Sequence, residues 1–510
     1  MSADADKKRI DAAIRRKLAR LARGDVVRVV DLFSGCGGFS LGFKRAGFGV
    51  VAGIDLDPEA AASHAVNFHG KPMPRNRTER EIYSADITQL SPARLAKNIG
   101  GKRSETAEAV DVLIGGPPCQ AYARVGRAKL REVNEHPNAF KVDPRGNLYL
   151  RYIAYVRALR PLVLVMENVP DVLNFGGHNI AEETAEVLEK LGYNCRYTLL
   201  NAAHFGVPQM RERMFLIGYH RCLRADVTFP RPTHHIELPA GYHGARGVAL
   251  KHLGGAVNKI SDARYVPPPE PRKSLPPAIT AEDALADIPP ITAHLEGNMK
   301  RGIRKLDDAV PYLRPARTDF ERDMRAWEGL LPSTMATAHV IRSLPRDYRI
   351  FRAMKAGDEY PQAQRLAVAL FEEHLRNLLA AGSAPKPGTV AFNKLRALFV
   401  PPYDAGKFPN KWRKMEPDMP ARTVMAHLGK DSYSHIHYDC KQARTISVRE
   451  AARLQSFPDS FVFVGAMNAA FRQIGNAVPP LMSFALANEI MRKAIKPLRQ
   501  RVEAISARKP

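Results

Sequence analysis

Nowhere in its 510 residues does the chain hold an apolar run approaching the ~18–20 residues that cross a bilayer, so no membrane span is expected. The N-terminus has no apolar core of the secretory kind, which points to a cytoplasmic protein, or a nuclear one in a host with a nucleus. Cysteine is scarce: Cys36, Cys119, Cys195, Cys222 and Cys440. The count is odd and no C-x-x-C pair occurs, which argues against a zinc knuckle, a disulfide framework or another metal site, and each thiol must be judged singly. No internal repeat or low-complexity tract is present. Acidic residues are outnumbered, 52 Asp and Glu against 77 Lys and Arg, for a net charge of +25. That excess favours a polyanionic partner, nucleic acid ahead of anionic lipid or a merely solvated basic surface. It does not say whether the partner is cut, modified or only bound.

What the chain does have is alternation. After a basic amphipathic helix (7–24, Ile10, Ile14, Leu18 and Leu21 at helical spacing), strand-like apolar runs and helices take turns. VVRVVDLF (26–33), GVVAGIDLD (49–57), VDVLIGG (110–116), PLVLVMENV (161–169) and RMFLIGY (213–219) read as strands. FSLGFKRAG, PEAAASHAVNF, LYLRYIAYVRAL (148–159) and ETAEVLEKLG (183–192) read as helices. This pattern predicts an α/β fold with a doubly wound, mostly parallel sheet, its ligands beyond the carboxyl ends of the strands. Past residue 220 the alternation stops. Residues 228–300 are rich in proline and read as loops and short strands, helices are expected at 320–331 and 364–381, and motif-rich sequence returns near 444. The expected domains are a basic extension (1–25), a catalytic domain (26–219), an inserted second domain (220–443), a return to the first (444–495) and a basic tail (496–510).

Chemistry-bearing residues cluster at the expected strand ends. DLFSGCGGFSLGF (31–43) follows a strand and opens a helix, and Gly35, Gly37 and Gly38 let a ligand approach the backbone. Asp55 ends the next strand, where an acid accepts hydrogen bonds from ribose hydroxyls; the glycine spacing is tighter than in dinucleotide-binding loops. Asp86, in SADITQL where a third strand would end, suits an adenine amino group, a helix N-cap or a turn. GGPPCQ (115–120) restricts the backbone before Cys119, as a nucleophile needs and a packing cysteine does not. Glu167 follows a buried strand in MENV, and burial would raise its pKa as a proton donor requires; it also suits the amides of a turn. In QMRER (209–213), Arg211 and Arg213 alternate with Met210 and Glu212 and should share one face, for an anion, a carbonyl oxygen or a surface ion pair.

The series DLFSGCGG, IDLD, PPCQ, ENV, QMRER, VREAARLQSFPDSF (448–461) and RQIGNAVPPLM (472–482) closely resembles the cytosine-5 DNA methyltransferase family over about 26–219 and 444–495. The resemblance implies a Rossmann-like, S-adenosylmethionine-dependent fold whose smaller insert is the target-recognition domain. It implies that Cys119 adds to C6 of a flipped-out cytosine in duplex DNA. Glu167 serves ring N3, Arg211 contacts O2 and Arg213 supports the site. Phe33, Gly35, Cys36 and Gly37 then surround S-adenosylmethionine, although Cys36 sits at a variable position suited to packing. Asp55 with Leu56 holds the ribose side, Asp86 and Ile87 the adenine, and Pro117, Asn476, Ala477 and Val478 complete the pocket. His339, Arg342, Arg346 and Arg349 suit phosphate contacts or an exposed helix face. Ala123 stands where the family usually has serine. A monomer is expected, with a restriction endonuclease as one genetic companion; an orphan or phage role stays open. Two rivals remain: an RNA cytosine-5 methyltransferase, which the large insert disfavours, and a silent DNA-binding regulator, which would have lost the thiol, the glutamate or the glycines.

Overall fold

The computed structural model describes residues 3–500 except 101–102, 119–147, 176, 252–263, 298, 300–304, 410 and 430–432. The chain divides into two compact units, 1–277 with 462–464 and 477–510, and 278–461 with 465–476. Among the described residues no helix is long and apolar enough to cross a membrane.

The first unit is built on six strands: β1 (Arg28–Leu32), β2 (Gly49–Ile54), β3 (Val112–Gly115), β4 (Val163–Asn168), β5 (Tyr193–Asn201) and β7 (Glu212–His220), with a two-residue strand β6 (Gln209–Met210) just before β7. Their order is β2-β1-β3-β4-β7-β5. β1, β2, β3 and β4 pair in parallel, while β7 runs antiparallel to both β4 and β5. Valines and leucines fill β1, β3 and β4 because both faces of the sheet are covered. One face packs against α4 (Leu148–Leu159) and α5 (Ile180–Lys190) through Tyr152, Val156 and Leu188. The other packs against α1 (Ala3–Ala22), α2 (Gly38–Arg45) and α10 (Pro480–Ile490) through Leu21, Phe43 and Leu486. β1 and β3 lie close enough that a Cβ on Gly115 would sit 2.5 Å from the Leu32 carbonyl oxygen.

The basic N-terminal helix packs on this unit. Ile14 and Leu21 are buried, and Lys17 donates at 2.8 Å to the carbonyls of both Leu159 and Arg160 at the end of α4. Burial pushes the Lys17 ammonium down to about 7. Arg20 pairs with the buried Asp111 that precedes β3. Arg15 and Arg16 stay exposed.

Two expectations change. SADITQL forms no strand: residues 84–90 make a turn tied to the sheet by the Ala85 amide on the Asp55 carbonyl at 2.8 Å. The proline-rich stretch contains the helix α6 (Ala240–Ala249), and its neighbour Tyr265 bridges Tyr197 of β5.

The second unit holds α7 (Tyr360–Ala380), α8 (Val448–Leu454) and α9 (Met467–Asn476) among shorter helices, with an aromatic core around Phe351, Tyr360 and Trp412. Capping-box residues start α8: Ser447 accepts from the Glu450 amide and Glu450 accepts from the Ser447 amide.

Candidate active site

Strand ends β1, β2, β3, β4 and β7 carry the predicted groups of the first unit. Phe33, Gly35 and Gly37 all take positive φ, at 63°, 53° and 103°. For phenylalanine that conformation is strained and marks a constrained turn. Gly37 also needs its missing Cβ, which would lie 2.3 Å from the Phe68 ring. The Gly35 amide donates to Asp55 Oδ2 and the Asp57 amide to Asp55 Oδ1, each at 2.8 Å. Asp55 thus clamps the Gly-rich turn to the end of β2, with lone pairs left over for a ligand. Burial nonetheless raises its pKa above the usual aspartate value.

Leu56 is exposed, Ile87 is buried beside the turn, and Asp86 accepts from the Thr88 amide at 2.7 Å. Cys36 is buried, and burial pushes its thiol up, which suits packing. Ala477 and Val478 are buried and lead into α10, whose Ser483 donates to the Phe39 carbonyl of α2 at 2.6 Å. That contact ties them to the helix the Gly-rich loop opens. Asn476 is exposed and belongs to the second unit.

Below that loop, Ser40 Oγ of α2 donates to Asp31 Oδ2 at 2.8 Å and lies 3.1 Å from Nε2 of His64 in α3 (Pro58–His69). All three are buried. Burial drives Asp31 up to about 7 and His64 down to about 3, so each favours its neutral form. The sequence carried no signal for this chain of contacts.

Glu167 lies at the end of β4. Its partner across the ladder is Phe215 of β7, and Arg213, two residues earlier in β7, shares that face. Arg213 Nε reaches Glu167 Oε1 at 3.1 Å. Burial raises the Glu167 pKa, against the pull of Arg213 and Arg211. Arg211 is almost wholly buried, and burial together with Arg213 lowers its pKa well below the ordinary arginine value. A carboxyl that keeps a proton affinity above the usual range beside two guanidiniums is suited to proton donation.

Cys119 lies outside the described residues, as does Ala123. The residues just before it are described, and both ends of MENV's polar pair face them. Gly116 approaches Glu167 so closely that a Cβ there would be 3.1 Å from Oε2. Asn168 Nδ2 donates to the Pro117 carbonyl at 2.8 Å. Pro117, predicted for the cofactor pocket, is buried. The ENV asparagine therefore holds the backbone two residues before the thiol. Glu212, which lies between the two arginines, pairs instead with Arg246 of α6.

In the second unit one expectation is corrected. His339 is buried, Nδ1 2.9 Å from Ser447 Oγ and Nε2 2.8 Å from the Pro289 carbonyl, so both ring nitrogens are engaged away from any phosphate. Arg346 pairs with Asp347 at 2.6 Å, and Arg342 lies 5.9 Å from the Tyr433 ring centre. Arg349 is exposed.

Comparison with known proteins bears on these sites together. A family model described as C-5 cytosine-specific DNA methylase matches residues 27–492. The chain is 38% identical over 474 residues to a protein of Oceanobacillus iheyensis named as a type II methyltransferase, M.OihORF3336P, covering 92% of this chain and 96% of that one. It is 31% identical over 466 residues to the type II methyltransferase M.XorII of Xanthomonas oryzae pv. oryzae, covering 91% and 84%. Its fold is similar, at a TM-score of 0.56 and 19% identity, to a crystal structure described as a DNA modification methyltransferase encoded within an E. coli prophage, covering 92% of this chain and 99% of that one. Because the family match runs from β1 past α10 and takes in every motif named above, the chain belongs to the C-5 cytosine-specific DNA methylase family and is a DNA (cytosine-5) methyltransferase.

Proposed function

We propose that the enzyme methylates C5 of a flipped-out cytosine in duplex DNA through a covalent bond between Cys119 and C6. The observation that carries this reading is the convergence of Glu167 and Asn168 on Gly116 and Pro117, the backbone two and three residues before Cys119 in sequence. The residues at the end of β1 fit S-adenosylmethionine: Gly35 has nothing within 4 Å of the place a Cβ would take, and Asp55 keeps acceptor sites for a ribose diol. When bound, that cofactor supplies an electrophilic methyl group on a sulfonium.

The Cys119 thiolate adds to C6, and Glu167 protonates or hydrogen-bonds N3, so electron density gathers at C5. C5 takes the methyl group, a base removes the C5 proton, and the thiolate leaves. Arg211 contacts O2, and Arg213 keeps Glu167 in place. Phe33, Gly35, Gly37, Asp55, Leu56, Asp86, Ile87, Pro117, Ala477 and Val478 form the cofactor pocket.

Flipping the base costs a few kcal/mol, which the +25 charge helps offset through phosphate contacts. Residues 26–219 and 444–495 serve catalysis and 220–443 target recognition. The enzyme acts as a monomer wherever the cell keeps its DNA. The type II names of its relatives favour pairing with a restriction endonuclease.

Labelled methyl transfer from S-adenosylmethionine to duplex DNA and to tRNA tests the substrate. A duplex with 5-fluorocytosine at the target tests the bond, since fluorine cannot leave as a proton does and the adduct accumulates. A trapped complex is expected with the wild type and none with Cys119→Ser. Transfer without any trapped complex would remove the covalent step, and transfer to tRNA alone would make the substrate RNA.

A further inference from the structure

The Gly-rich turn is fastened on two sides, and only one of them belongs to the proposed pocket. From the end of β2, Asp55 takes the Gly35 amide. From below, the buried chain of Asp31, Ser40 and His64 reaches the first turn of α2, where Ser40 sits. Ser40 Oγ has one hydrogen and two lone pairs, so it serves both neighbours at once. The His64 ring also fills space that two glycines leave. A Cβ on Gly37, the N-cap of α2, would lie 3.0 Å from its Cδ2. The three atoms nearest to a Cβ on Gly53 of β2 would all belong to the same ring, each within 2.6 Å. Phe68 stacks on that ring with 4.4 Å between centres and stands against Gly37 as well.

We infer that His64 is a positioning residue for the cofactor: wedged between Gly37 and Gly53 and hydrogen-bonded to Ser40, its ring holds the Gly-rich turn in the shape that receives S-adenosylmethionine. Glycine is the residue most free to leave its native conformation, and a turn of glycines must lose that freedom before it can grip a ligand. The His64 ring removes it in advance. It stands against Gly37 and Gly53 at once, so the turn and β2 cannot close on each other, and its Nε2 keeps Ser40, and with it α2, from turning away. An apolar ring would supply the first and not the second. Burial keeps His64 neutral, so the polar contact comes without a charge to bury. The same arrangement accounts for the glycine at 53 between Ala52 and Ile54, since any Cβ there would displace the wedge.

The inference rests on the reading of this turn as the cofactor site, and the experiment keeps the two apart. The readout is calorimetric titration of the cofactor-free enzyme with S-adenosylmethionine, below the melting transition of each variant. His64→Ala is expected to weaken binding about tenfold and His64→Phe, which keeps the ring and loses Nε2, about threefold. Leu188→Ala, which empties the opposite face of the sheet, is the control: it should lower stability and leave the Kd within about twofold. The deciding variant is Gly53→Ala. Gly53 is not in the left-handed region, so the ring is what stands in the way of a side chain. The change should weaken binding about tenfold in the wild type and by less than about twofold more in His64→Ala, where the obstructing ring is gone. If His64→Ala and His64→Phe melt earlier but bind as the wild type does, the histidine only packs and the inference falls. It falls too if Gly53→Ala costs as much with the ring absent as with it present. Should His64→Ala not fold, wild-type binding by His64→Phe and Gly53→Ala would overturn the inference and weakened binding by both would uphold it. Asp55→Ala checks the underlying reading: unchanged binding there would move the cofactor away from this turn whatever His64 does. Lost binding there with His64→Ala unimpaired would overturn the inference alone.

Discussion

Both units bury carboxylates against arginines, and they do so to opposite effect. In the second unit, Glu450 takes two hydrogen bonds from Arg444, at 2.6 and 2.7 Å, and one from the Ser447 amide at 2.6 Å. Asp459 takes two from Arg453, at 2.9 and 2.7 Å, and one from the Tyr312 hydroxyl at 2.6 Å. Burial alone would raise both pKa values, but the donors win and both lie below the ordinary range. In the first unit, Glu167 meets Arg213 at 3.1 Å through a single nitrogen, and burial wins. The lesson is that a guanidinium reaching a buried carboxylate with two nitrogens outweighs burial, whereas a single nitrogen at Glu167, or backbone amides alone at Asp55, do not. The second unit's carboxylates are tied down as scaffold, while Glu167 is left able to hold a proton, as the proposed role requires.

The sharpest way to break this comparison is to remove the carboxyl proposed to carry the proton. Glu167→Gln keeps the shape and loses the acid, so kcat should fall by about 10²–10⁴ while DNA binding persists. Wild-type turnover would put the proton elsewhere. The matching test in the second unit is Arg453→Ala. It leaves Asp287 and Asp459, both fully buried, short of their shared guanidinium, at a cost of about 3–5 kcal/mol. Both tryptophans of the chain, Trp327 and Trp412, are buried in this unit, so intrinsic fluorescence reads its unfolding selectively. The fluorescence midpoint in urea should drop sharply in Arg453→Ala. An unmoved midpoint would mean that the network contributes little to holding the unit together.

A pH series sharpens the contrast further. Glu450 and Asp459 have depressed pKa values, so their contribution is present above about pH 4–4.5 and is lost as pH falls below it. Asp31, beneath the Gly-rich loop, has the opposite sign. Its folded-state value near 7 exceeds the unfolded 3.8, so its contribution is full below 3.8 and is lost as pH rises through 7. His64, at about 3 against 6.5, is present above 6.5 and is lost as pH falls, which masks Asp31 in the wild type. The difference isolates it: the advantage of wild type over Asp31→Asn, read from hydrogen exchange of β1 amides, should shrink between pH 4 and 7. Parallel curves would mean that Asp31 is ionised throughout.

The sheet was legible because β1, β3 and β4 are unbroken apolar runs that only a sheet covered on both faces accommodates. α4 was legible because LYLRYIAYVRAL keeps helical spacing from end to end. What escaped had mixed signals. β5 interleaves the polar Asn194, Arg196 and Thr198 with its apolar residues, and α6 carries glycines at 241, 244 and 247, against helix propensity. The turn at 84–90 looked like a strand because nothing in SADITQL says that its pairing stops at one bond. At the site, Glu167, Arg211 and Arg213 were visible as residue types at strand ends. The clamp of Asn168 on Pro117, the pairing of Glu212 with Arg246 and the burial of His339 were not, since each depends on a partner tens of residues away.

The smallest expected effect tests how closely the proton carrier is fitted to the thiol loop. Gly116 is not in the left-handed region, so alanine is tolerated by the backbone there and only space is at issue. Its Cβ would come 3.1 Å from Glu167 Oε2 and 3.6 Å from the Glu167 carbonyl oxygen. The carboxyl must then shift by a few tenths of an ångström, in a site where it is held at one end by Arg213. Gly116→Ala should lower kcat by about tenfold, or ~1.4 kcal/mol, with little change in stability. Gly244→Ala makes the same chemical change inside α6, where a Cβ meets nothing within 4 Å, and relief of helix-interior glycine should leave it neutral or about 0.5–1 kcal/mol more stable. Equal kinetics for the two would show that the approach of Gly116 to Glu167 is loose, and that the site tolerates movement where the comparison of the two units requires it to be set.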